Sequence, residues 1–147
     1  MAVLLDFSFE SVGILGDDKT YNMEREAIDI PIVLDGISYR CTCVAGEEIY
    51  CVMPFRLVTP RLAFDMGKKI ERSGLFSKPV NTIIAQIVDR HNIIIEFRKH
   101  SSLFLQYEPI REDLAYIAVS ALNKMRYVSD NVKVENRGAV VRVLLDK

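Results

Sequence analysis

Tryptophan is absent from this chain, cysteine occurs three times, and only seven glycines and five prolines are spread over 147 residues. Three cysteines cannot all pair within one chain, so no disulfide framework is expected and a reducing, cytoplasmic setting is favoured. Apolar runs are a few residues long, far short of the roughly 20 needed to span a bilayer. The opening Met1-Ala2-Val3-Leu4-Leu5-Asp6 has no basic stretch and reaches an acid too early for a secretory signal. There is no Walker-type glycine loop and no Gly-x-Gly-x-x-Gly, which removes the usual phosphate cradles. Cys-x₂-Cys pairs and flanking histidines are missing too, so the zinc patterns are not met. Neither an internal repeat nor a low-complexity tract is present.

Half the residues are hydrophobic and 27% are charged, an ordinary globular composition. A chain of this length can bury roughly two-thirds of its unfolded surface. A single domain over residues 1–147 is expected. Net charge is −1 but unevenly placed: residues 1–50 carry ten acidic and three basic side chains, whereas residues 51–100 carry four and nine. The two segments either neutralise each other in space or offer faces to differently charged partners.

Alternation of apolar and polar residues predicts a strand over 2–9, followed by a polar loop. Residues 27–34 and 37–44 read as a hairpin around Asp35-Gly36, a dipeptide suited to a type I′ turn. That register sets Ile32 against Tyr39, Ile30 against Cys41 and Ile28 against Cys43, all on one face. A fourth strand, 48–53, places Cys51 opposite Cys41. Thr59-Pro60 opens a helix over 59–73 that Gly74 terminates. Pro79 is followed by Val80, Ile83, Ile84, Ile87 and Val88 at helical spacing, predicting a second helix that stops near His91-Asn92. A hairpin of 93–98 and 102–108 comes next. A long helix is expected over 109–128, with acids in its first turn and bases near its last. The chain closes on a hairpin of 132–135 and 139–145. The expected fold is α+β: a largely antiparallel sheet, in the order ββββααββαββ, with three helices packed on one side.

Cys41, Cys43 and Cys51 share a face with Ile30, Ile32, Ile49 and Met53, where a free thiol behaves as a small hydrophobe. They read as core, and neither a metal nor a cofactor is expected. His91 and His100 have no nucleophile placed beside them by the sequence, and Asp89 lies two residues from His91, off its helix face. No catalytic residue is assigned. The expected function is that of a small non-catalytic protein-binding module of inhibitor, immunity or adaptor type. Its acidic residues Asp17, Asp18, Glu24, Glu26, Asp29, Glu47 and Glu48 would meet a basic protein partner. The alternative is a nucleic-acid-associated protein that contacts phosphates through Arg56, Arg61, Lys68, Lys69 and Arg72. A second alternative is an enzyme whose pocket is assembled from distant residues. An open sheet edge near Pro31, or the mixed outer face of the first hairpin, would also suit a homodimer.

Overall fold

The computed structural model describes residues 25–45, 48–105 and 111–146. The expected strand at 2–9 and the loop after it lie outside them. Seven strands form one mixed sheet in simple sequential order: β1 (Arg25–Leu34), β2 (Ile37–Ala45), β3 (Ile49–Phe55), β4 (Val80–Asp89), β5 (Asn92–Arg98), β6 (Asn131–Asn136) and β7 (Ala139–Leu144). Helix α1 (Pro60–Ser73) joins β3 to β4, and helix α2 (Glu112–Lys124) joins β5 to β6. Both helix-linked pairs are parallel and the other four are antiparallel. The α+β class and the antiparallel bias therefore hold, with two helices among the described residues instead of three.

The missing helix is β4. Val80, Ile83 and Ile84 are buried, and so are Asn81, Thr82 and Ala85 between them. A central strand covered on both faces needs apolar residues at both parities. Such a run satisfies helical spacing by accident. The abundance of β-branched residues in VNTIIAQIV is the signal that favours strand.

The helices also lie on opposite faces of the sheet, not on one side. Ile49, Cys51 and Met53 pack with Ala63, Met66 and Ile70 of α1, whereas Val52 and Tyr50 pack with Leu114, Ala118 and Leu122 of α2. Neighbouring residues of a strand point to opposite faces, so the two cores must be on opposite sides. Chain handedness explains why. Crossovers between parallel strands are right-handed. The chain steps the same way along the sheet each time, yet β5 runs antiparallel to β4 and hence opposite to β3. Reversing strand direction moves a right-handed crossover to the other face.

The first hairpin keeps its expected register at Ile32–Tyr39, Ile30–Cys41 and Pro31–Arg40. It breaks at Ile28. Ala27 pairs with Cys43, leaving Ile28 and Asp29 opposite Thr42 alone, which is a β-bulge. Asp29 takes φ 52°, and its N–H donates to Thr42 Oγ1 at 2.9 Å. Aspartate tolerates this left-handed backbone better than most residues. Ile28 consequently turns outward, 45% exposed. Between β2 and β3 the pairing is displaced by two residues, with Cys51 opposite Cys43 and not Cys41. A two-residue slip keeps every side chain on its own face, so alternation could not detect it.

Strand β5 pairs with β4 across a turn at Arg90-His91, so His91 lies in a hairpin turn and not at a helix end. Residues 102–105 form no strand, and 106–108 lie outside the described residues. The last hairpin matches its reading: Val134 pairs with Val141, and Val132 with Val143, across Arg137-Gly138. Among the described residues, no helix is long and apolar enough to cross a membrane.

Candidate functional site

Beneath α1 a row of polar side chains crosses four strands. Cys43 of β2 pairs with Cys51 of β3, Cys51 with Thr82 of β4, and Thr82 with Arg98 of β5. Strand β5 sends Ile93, Ile95 and Phe97 into the α2 core, so Glu96 and Arg98 face the α1 side. Both are buried, Arg98 to 3% exposure. Such burial of a guanidinium is unusual and requires compensation.

Helix α1 supplies the space. Thr59 caps it, with Oγ1 accepting from Leu62 N at 3.0 Å, and Gly74 ends it at φ 74°. In its middle, Gly67 leaves room for the Arg98 side chain; a Cβ there would stand 3.2 Å from Nη1 and 3.3 Å from Cγ. Arg98 Nη2 donates to Ser102 O at 2.7 Å, and Nη1 lies 3.2 Å from the Glu71 carboxylate. Glu71 also accepts from Ser101 N. The Arg98 guanidinium carbon is 5.2 Å from the centre of the Phe64 ring, and Lys68 Nζ is 5.3 Å from the same ring centre. Nε of Arg98 has no hydrogen-bond acceptor among the described residues, and Nη1 meets Glu71 as a charge contact without hydrogen-bond alignment.

These groups line a pocket of about 360 Å³ bounded by Phe64, Lys68, Glu71, Arg72, Arg98, Ser101, Ser102 and Leu103. Three cations and one carboxylate leave it with a positive excess. A buried guanidinium, beside exposed cations and hydroxyls, is chemistry for an oxyanion.

The basic-helix residues divide by location. Lys68 and Arg72 stand at the pocket. Arg61 pairs with Asp65 at 3.6 Å and Lys69 with Asp35 at 3.6 Å, while Arg56 is exposed just after β3. Of the acidic residues, Glu26 pairs with Lys124 at the end of α2, and Asp29 pairs with Arg40 at 3.0 Å. Glu48 accepts from Asn81 Nδ2 at 2.7 Å and contacts His100 Nε2 at 3.0 Å; these two partners, Asn81 first, hold its carboxyl below the usual range. Asp17, Asp18, Glu24 and Glu47 lie outside the described residues.

His91 is a brace between turns. Its Nδ1 lies 2.9 Å from Asn131 O and 3.0 Å from Ser129 Oγ, and its carbonyl accepts from Lys133 N. Asp89 accepts instead from His91 N and Asn92 Nδ2, so the pairs shown do not orient the ring for nucleophilic work. The three cysteines are fully buried in the α1 core, as expected. Hydrogen bonds from Cys43 and Cys51 draw the Cys41 thiol down, and donating them pushes Cys43 and Cys51 up, with burial adding to the rise.

Arg98, Phe64 and Glu71 are the residues the sequence did not single out. A glycine in mid-helix was the available signal, since an isolated one often marks close approach by another group. It had no partner until the fold brought β5 beneath it. No protein-family model matches the chain, and a search of curated proteins gives no match either, so the functional reading rests on the chemistry of this pocket.

Proposed function

We propose that this chain is a binding protein whose α1 pocket receives a phosphate group of its ligand. The observation that carries the reading is Arg98, almost wholly buried and only partly satisfied, in the lining of a pocket that also holds Lys68 and Arg72. Arg98 gives the pocket wall a fixed positive charge, and the Lys68 and Arg72 cations beside it would meet a phosphate oxygen with charge-assisted bonds. Phe64 and Leu103 supply an apolar wall for whatever carries the phosphate. The basic stripe of α1 belongs to this reading through Lys68 and Arg72.

A nucleoside monophosphate and inorganic phosphate, titrated by calorimetry or by amide shifts, test it. Saturable binding that weakens at least about tenfold in Lys68→Glu/Arg72→Glu is expected, because each charge-assisted bond contributes more than a neutral one. Absence of binding, or indifference to the reversal, would refute it. A short oligonucleotide in the same titration, repeated at 200 mM added salt, shows whether the phosphate belongs to a nucleic acid, whose retention falls steeply with salt. The module in which acidic residues meet a basic protein remains a separate proposal. Glu26, Asp29 and Glu48 are engaged within the chain, so it rests on Asp17, Asp18, Glu24 and Glu47. A pull-down with Asp17, Asp18 and Glu47 reversed to lysine addresses it.

A further inference from the structure

We infer that Cys41, Cys43 and Cys51 form a three-sulfur site for a soft monovalent metal ion, Cu(I), buried between the sheet and α1. Strand geometry assembles the donors. Cys41 and Cys43 are two apart on β2 and share a face, and Cys51 sits directly across from Cys43 on β3. The Cys41 and Cys43 sulfurs are 3.8 Å apart, and all three sulfurs lie within 4.8 Å of one another. A metal at the centre of a flat triangle with metal–sulfur bonds of about 2.3 Å would need sulfurs roughly 4.0 Å apart. The site therefore needs only small side-chain shifts to close on an ion. All three cysteines are free, so each sulfur is available as a ligand.

Donor chemistry selects the ion. Zinc in structural sites takes four ligands, and this cluster brings three among the described residues. The cluster lies in a core that it shares with Met53, Met66, Ile32, Ile49 and Ile70. Soft thiolate sulfur favours Cu(I) over harder ions. Each thiol that becomes a ligand releases one proton.

The full-length chain, reduced and kept anaerobic, is titrated with Cu(I) against a chromophoric Cu(I) chelator. One Cu(I) retained per chain is expected, with X-ray absorption showing about three sulfur neighbours near 2.3 Å and a rise in melting temperature. Cys51→Ala should retain at least tenfold less copper than the wild type. Should that variant not fold, the sulfur count and the melting shift of the wild type decide alone. Complete stripping by the chelator, nitrogen or oxygen neighbours in place of sulfur, retention unchanged in Cys51→Ala, or preferential uptake of Zn(II) would each overturn the assignment. The phosphate titration is independent of all four results.

Discussion

Gly67→Ala sets two known effects against each other beneath α1. On helix propensity alone, alanine in a helix interior gains about 1 kcal/mol over glycine. The structure opposes this. The new methyl would stand 3.2 Å from Arg98 Nη1, 3.3 Å from Cγ and closer still to Cδ. Arg98 cannot simply swing away, because it is buried, bonded to Ser102 O through Nη2 and held near Glu71. Overpacking of this kind costs about 1–3 kcal/mol. The clash should win by roughly 1 kcal/mol, lowering the melting temperature by about 2–4 °C for a domain of this size. Urea unfolding of the wild type, Gly67→Ala, Arg98→Ala and the double variant measures it. With Arg98 truncated, the added methyl should stabilise by about 1 kcal/mol, giving a coupling near 2 kcal/mol across the cycle. If Gly67→Ala stabilises the intact chain by the full propensity gain, Arg98 is not pinned and the pocket as described is wrong.

Two further outcomes follow from local geometry. Thr59→Ala removes the cap that Leu62 N donates to and should cost about 1 kcal/mol in chemical denaturation, while Thr59→Ser should keep most of the stability. An equal loss in both would mean the hydroxyl is not the capping group. Glu48 titrates below its ordinary value of 4.5 in the fold, through Asn81 and then His100. Its contribution is therefore complete above that value and is lost as pH falls through the lowered one. Glu48→Gln should make the acid limb of a melting-temperature profile shallower. An unchanged slope would show that the pair is screened by solvent.

Local chemistry alone determined several parts of this protein. Thr59-Pro60 and Gly74 bound α1 because capping and left-handed backbone depend on the residue at the position. The β6–β7 pairing across Arg137-Gly138 follows from turn length and alternation. The burial of the cysteines follows from the face they share with branched aliphatics. Tertiary structure decided the rest. Residues 80–89 became a strand because both faces of the sheet are covered, which no local period reports. The sulfurs of Cys43 and Cys51 converge because β2 and β3 settled in one of two registers that alternation cannot distinguish. Arg98 reads from its neighbours as an outward residue of a half-buried strand. It became the buried centre of a pocket only when a right-handed crossover laid α1, with glycine at the contact, over that face.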